Sequence, residues 1–340
     1  MMIEKIMLGS YTRRTSQGIY QALLDTTQKK VTDVTLILPE NNPTYLATSH
    51  QHCLYTVTKD GENGGIAAYQ FQKEGYHFIN KVTTKGAPPC YVSVDNKRQV
   101  VFSANYHTGD IKVYQILENG GIVLRDTVEH TGNGPHPNQS SSHAHYIDLT
   151  PDGNIIVCDL GTDKIYLYDL TADLTFKQLS VTSVTPGSGP RHILCHPTLP
   201  FFYVIGELNN SVTCLAYDKE QATLTVKEQY ANLSDAAEDA SGGAIRMSQD
   251  GKFLYTSTRG ADVITVFSIQ PDGTLSLIQR LSSEGKTPRD FNLTHEDLFL
   301  LVGHQDSDNL TLFERNSQTG KLTLCQTDIE APECVCVLPS

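Results

Sequence analysis

Two stretches of the chain each set an arginine directly after a proline: GPRHILCHP, with Arg191, and TPRDFNLTH, with Arg289. The two arginines lie 98 residues apart. A guanidinium offers a rigid fork of donors to a carboxylate or a phosphate. SHAHYIDL carries His143 and His145, and an imidazole can take a proton from water near neutral pH. VIGELNNSV carries Glu207 and TSTRGADVI carries Arg259. A glutamate orients an imidazole or binds hydroxyls, and arginines stabilise the oxyanion formed by attack on an ester carbonyl. Brought together, one histidine, one glutamate and three arginines suit hydrolysis of a small anionic ester or lactone. Arginine and glutamate also serve as plain salt bridges between neighbouring sheets. Convergence of the group, not any single residue, therefore carries the expectation.

The elements that would position these residues repeat along the chain. Short β-prone runs recur: CLYTVT, QVVFSA, IIVCDL, FFYVIG, FLYTST and LFLLVG. Each is followed by a Gly, Asn or Asp cluster and a second run, as in GIAAYQF, DIKVYQI and KIYLYDL. Aligned on Ile19, Ile66, Ile111, Ile165, Val212, Ile264 and Leu310, the second runs are spaced by 47, 45, 54, 47, 52 and 46 residues. Such a period in an all-β chain predicts a seven-bladed β-propeller of four-stranded antiparallel blades, one domain over residues 1–340. A third series supplies the innermost strands, with leading positions Thr44, Cys90, His145, Arg191, Gly243, Arg289 and Glu333. The last inner strand ends the chain while its partners begin it. The termini are thus expected to share one blade, which removes a free sheet edge. PDGTL, TGKL and the two ENGG stretches read as hairpin turns, since neither ENGG opens a helix as a phosphate loop would. SDAAEDA, at 234–240, is the one ambiguous helical stretch.

In an antiparallel blade, the start of the inner strand and the end of its neighbour lie on one face. The leading slots then ring one mouth of the central channel, with His145, Arg191, Arg289 and Glu333 among them. Five residues before the aligned apolar positions, the neighbouring strands end at Tyr106, Leu160, Glu207, Arg259 and Gln305. This register brings His145, Glu207, Arg191, Arg259 and Arg289 to the same mouth. His145 lies six residues before Pro151, as Arg191 lies six before Pro197, so His145 is preferred as the base. His136 and His143 are read as loop residues near the ligand. Strand alternation turns His192 away from Arg191, toward packing between sheets. His304 reaches either the mouth or the surface. The H-x-H pair of His143 and His145 resembles half a zinc site, but no third ligand at clear spacing follows. No metal and no cofactor are expected.

The net charge of −12 argues against a nucleic-acid surface, though it leaves room for a local arginine cluster. No stretch approaches 18 apolar residues, and the N-terminus lacks the apolar core of a signal peptide, so no membrane partner is expected. The eight cysteines form no CxxC pair and mostly lie within strand-like runs. They read as reduced thiols in a cytoplasmic protein, a monomer or weak homo-oligomer. There is no G-x-S-x-G elbow, no CxxCH, and no tryptophan for the Trp-Asp signature of interaction propellers.

With these residues in view, the whole chain resembles the seven-bladed propeller lactonase family. The resemblance rests on SHAHYIDLTPDG, DLGTDKIYLYDL, GSGPRHILCHP, YVIGELNNSVT, STRGADVITVF and TPRDFNL together. It implies 6-phosphogluconolactonase activity, the second step of the pentose phosphate pathway, on a small anionic sugar lactone. The family is similar in turn to fungal carboxymuconate cyclases, which form a lactone without metal or cofactor. The cyclases use a histidine, a glutamate and two arginines. Carried over by motif, these fall on His145, Glu207, Arg191 and Arg259 as catalytic residues, with Arg289 and His143 left to bind substrate. Some relatives carry a single histidine where this chain has His143 and His145. Three other readings are weighed: a lactonising cyclase or isomerase on a carboxylated dienoate, a non-catalytic propeller that binds a sugar phosphate or a protein, and a calcium-dependent lactonase. The last is disfavoured by arginine where convergent acidic ligands would be needed.

Overall fold

The computed structural model describes residues 3–233 and 239–339. Most of the SDAAEDA stretch, residues 234–238, lies outside them. The described residues form 28 strands and no helix, arranged as seven four-stranded antiparallel sheets. That is the strand complement of a seven-bladed propeller. One sheet runs in the order Cys334–Pro339, Ile3–Ser10, Gly18–Asp25, Lys30–Pro39, so the two ends of the chain close it together. Its ladder pairs Ile6 with Pro339 and Leu8 with Val337. The other six begin with the inner strands Leu46–Thr48, Tyr91–Asp95, Ala144–Leu149, Pro190–Cys195, Ser241–Met247 and Pro288–Leu293. We number these sheets one to six.

Burial explains the strand patterns. The second strands, such as Val100–Ala104, Ile155–Asp159 and Phe299–His304, are buried at every position and read as continuous apolar runs. Outer strands such as Phe176–Ser183 expose most of their residues. Adjacent sheets share apolar clusters: Ile6, Leu8 and Val337 of the closing sheet pack with Leu301 and Leu312 of sheet six. A tyrosine fastens the same joint three times over. Tyr55, Tyr203 and Tyr255 donate to the carbonyls of Gly120, Gly273 and Gly320 at 3.0, 2.8 and 2.9 Å. Those glycines have φ of 82, 84 and 70°, which favours a residue without a Cβ.

Two compact units divide the chain. One comprises Met1–Glu40, Leu194–Leu215 and Lys227–Ser340; the other comprises Asn41–Ile193 and Ala216–Val226.

The leading slot has a feature that the sequence period hides. In sheet three Ala144 pairs with Asp159 and Tyr146 with Cys158, leaving His145 as the extra residue of a β-bulge. In sheet six Pro288 pairs with His304 and Asp290 with Gly303, so Arg289 is extra. Sheet five bulges between Gly242 and Ile245. A bulge bends the strand and re-aims the side chain it carries. Two expectations hold only in part. His304 is not on the surface; it is fully buried, with Nδ1 3.1 Å from the Asn309 carbonyl. Its position on an all-buried second strand leaves no exposed face. Arg191 and His192 are not kept apart either: His192 packs on rings of neighbouring sheets as expected, yet the Arg191 guanidinium reaches its ring.

Candidate active site

In the Asn41–Ile193 unit, His145 is buried at 4% exposure on its bulge. Its ring centroid lies 5.1 Å from that of His192 and 6.1 Å from Tyr106, which meets it edge-on. The Arg191 guanidinium, also buried, lies against the His192 ring, its Nη1 3.3 Å from Nε2 and 3.5 Å from Nδ1. His192 thus joins the two predicted residues His145 and Arg191. It also completes a column of four rings with Tyr45, Tyr91 and Tyr146. Tyr45 and Tyr91 lie 4.1 Å apart, Tyr91 and Tyr146 4.6 Å, Tyr146 and His192 5.6 Å. All four occupy the position after the leading slot in consecutive sheets. The signal was present in PTYLATS, PCYVSVD, AHYIDLT and PRHILCH as a repeated ring, and it marks the packing that holds His192. Desolvation raises the Tyr91 and Tyr146 phenols well above their ordinary value and pushes the Asp148 carboxyl up to about 6. At neutral pH the two phenols are therefore uncharged, while Asp148 is mostly ionised.

His143 lies one residue before the strand. It stacks on Tyr106 with centroids 4.2 Å apart and planes 7° from parallel. Its Nδ1 is 2.6 Å from the Tyr106 carbonyl, which can only accept, so Nδ1 carries the hydrogen and Nε2 is the basic nitrogen of the neutral ring. The segment is held from beneath by Asp159, which is fully buried. The carboxylate accepts the Ser142 hydroxyl at 2.8 Å, the His143 N–H at 2.8 Å and the Gly161 N–H at 3.1 Å. His130 Nδ1 lies 3.3 Å from the same carboxylate, and His130 Nε2 shares a 2.8 Å hydrogen bond with Tyr168. Desolvation works to raise the Asp159 carboxyl, but its donors, His130 foremost, lower it below the ordinary value. Asp159, which from sequence reads as a turn residue, is thus the anchor of the segment that carries both histidines. His136 belongs to a turn, accepting from the Asn138 N–H, and is not part of this group.

In the other unit, Glu207 and Arg259, which hold matching slots of adjacent sheets, form a salt bridge at 2.8 Å. Arg259 also donates to the Gly242 carbonyl at 2.6 Å, while its Nε is buried and meets no acceptor among the described residues. Burial lowers the proton affinity of this guanidinium; Glu207 opposes that, and the charge of Arg289 adds to it. Arg289 donates to Gln305 Oε1 at 3.3 Å and lies 5.7 Å from the Tyr11 ring. Glu333, expected as a titratable member of the slot, is instead consumed. It is buried, and its carboxylate accepts the backbone N–H groups of Arg13, Arg14, Thr15 and Ser16. Nothing in the sequence period pointed to Tyr11 or Arg13, which precede the first repeat junction. Among the described residues no group of three His, Cys, Asp or Glu side chains is placed to hold a metal ion, and no helix is long and apolar enough to cross a membrane.

The chemistry available is that of a buried imidazole with an arginine beside it, and of a desolvated arginine balanced by one carboxylate. Known proteins resemble this chain over nearly its whole length. The model of the lactonase family, described as a seven-bladed β-propeller, matches residues 5–339. A Lactococcus lactis protein of uncharacterised function is 46% identical over 340 residues, covering 99% of this chain and 100% of its own. The 6-phosphogluconolactonase of Bacillus subtilis is 39% identical over 337 residues, covering 97% and 96%. A crystal structure of a Lactobacillus plantarum protein superposes with a TM-score of 0.98 at 44% identity, covering 100% of both chains. The chain belongs to the seven-bladed β-propeller lactonase family and is a lactone-hydrolysing enzyme.

Proposed function

We propose that the substrate is 6-phospho-D-glucono-1,5-lactone, hydrolysed to 6-phosphogluconate, as in the pentose phosphate pathway. The observation that carries the mechanism is Arg259. Its guanidinium is desolvated, and Glu207 offsets its charge. A desolvated donor already in place, needing no reorganisation, is what a developing oxyanion requires. His145 takes a proton from water as the water oxygen bonds to the lactone carbonyl carbon. The carbonyl electrons move to oxygen and are met by a guanidinium, the role that the family motif assigns to Arg191 and Arg259. When the carbonyl re-forms, the ring C–O bond breaks and the imidazolium returns the proton to the departing hydroxyl. Glu207 holds Arg259 and presents its remaining lone pairs to substrate hydroxyls. His143 binds substrate through Nε2, its other nitrogen being committed to Tyr106.

The test is hydrolysis of freshly prepared lactone with the spontaneous rate subtracted. His145→Ala is expected to lower the catalysed rate by about 100- to 10,000-fold with KM little changed. An unchanged kcat would remove His145 from the role of base.

A further inference from the structure

We propose that Arg13 and Arg289, set around the ring of Tyr11, form the receptor for the phosphate of the substrate. This rests on the lactonase reading and deepens it, since it makes the phosphate a recognised group and not a tolerated one. The N-terminal segment is fastened where it is by Glu333. The Glu333 carboxylate accepts the N–H groups of Arg13, Arg14, Thr15 and Ser16 at 3.1, 2.9, 3.1 and 3.2 Å. The Tyr11 N–H donates to the Glu333 carbonyl at 3.1 Å, and the Glu333 N–H donates to Asp308 at 2.8 Å. A carboxylate with four backbone donors holds its loop in one geometry.

The three guanidiniums near this loop are used differently. Arg14 is spent on structure: it donates to Asp308 at 2.7 Å and to the Gln305 carbonyl at 2.9 Å. Arg13 has no carboxylate partner among the described residues. Its guanidinium carbon lies 3.8 Å from the centroid of the Tyr11 ring, and the Arg289 carbon lies 5.7 Å from the same centroid. Arg289 likewise has no carboxylate partner among the described residues; its side-chain contact is the neutral Gln305 at 3.3 Å. Two uncompensated guanidiniums on one ring repel each other, and a cation over a tyrosine face at an exposed site offsets little of that. In a chain of net charge −12, acidic side chains are plentiful, yet among the described residues the nearby carboxylate, Glu333, is spent on backbone N–H groups and none pairs with either guanidinium. Two unneutralised positive charges match a dianion. A phosphate monoester supplies close to two negative charges at neutral pH and three acceptor oxygens, enough for a fork from each side. A single carboxylate would leave one guanidinium unmatched. Arg289 also lies near enough to Arg259 for their charges to interact.

The experiment uses the full-length protein and two substrates: the phosphorylated lactone and glucono-1,5-lactone. Calorimetric binding of 6-phosphogluconate and gluconate runs in parallel. Arg13→Ala and Arg289→Ala are each expected to lower the ratio of kcat/KM values, phosphorylated over plain, by about 10- to 100-fold. Arg14→Ala removes an equal charge whose partners are internal, and should leave that ratio as in the wild type. Melting curves check that each variant is folded. A wild type that hydrolyses both lactones equally, or an Arg13→Ala ratio like the wild type's, overturns the receptor and leaves the lactonase reading standing. A wild type that binds 6-phosphogluconate through Arg13 but hydrolyses neither lactone sinks the lactonase reading and keeps the receptor.

Discussion

Asp159→Ala is the most demanding test of how the histidine segment is held. The wild-type carboxylate is fully buried and accepts three hydrogen bonds, from Ser142, His143 and Gly161, with His130 at 3.3 Å. Alanine removes every acceptor at once. Each buried donor left unmet costs about 1–3 kcal/mol. Because water entering the space would relieve some donors, a loss of about 3–5 kcal/mol is expected, read as the shift in a urea unfolding curve. The effect has a pH signature. Asp159 has a depressed carboxyl pKa in the fold, so its contribution is present above the unfolded value of about 3.9 and is lost as pH falls through the folded value. The gap between wild type and variant should therefore be full at pH 7 and close on acidification below about pH 4. Activity should fall as well, since the His143 N–H loses its anchor and the ring its place on Tyr106. Gly161→Ala reaches the same segment without touching a polar group. A Cβ there would lie 1.9 Å from the Ser141 carbonyl and 2.7 Å from the His143 nitrogen, so residues 141–143 must move. A loss under about 1 kcal/mol for Asp159→Ala, with normal kcat in both variants, would refute the anchoring argument.

Arg259→Lys keeps the charge beside Glu207 but removes the Nε–H and the planar fork; kcat should fall by about 100-fold while the variant melts near the wild type. Removing residues 334–340 takes the inner strand from the closing sheet and bares the ladder edge of Ile3–Ser10. The loss of buried Val335 and Val337 alone amounts to roughly 3–6 kcal/mol, near the whole stability of a domain, so size-exclusion chromatography should find aggregates or an expanded chain.

Much of the molecule was legible in the sequence, because a propeller writes its fold as a period. The spacing of Ile19, Ile66 and their successors is set by local strand and turn lengths, and local register assigns Glu207 and Arg259 to matching slots that the structure pairs at 2.8 Å. The shared terminal sheet was equally legible, since the last inner-strand phrase, PECVCVL, has no successor and the first outer phrases have no predecessor. What the tertiary structure decided is where periodicity breaks or where unrepeated segments arrive. The bulges at His145 and Arg289 shift side chains by one position, and strand alternation cannot register an inserted residue. The column of Tyr45, Tyr91, Tyr146 and His192 exists only once successive sheets pack. Asp159 looked like a turn residue until the loop before His145 folded onto it. Glu333 meets Arg13 across 320 residues of chain, a contact that no window or period contains and that only closure of the sheet brings about. Repetition records what each strand does by itself; the site depends on which distant strand each one meets.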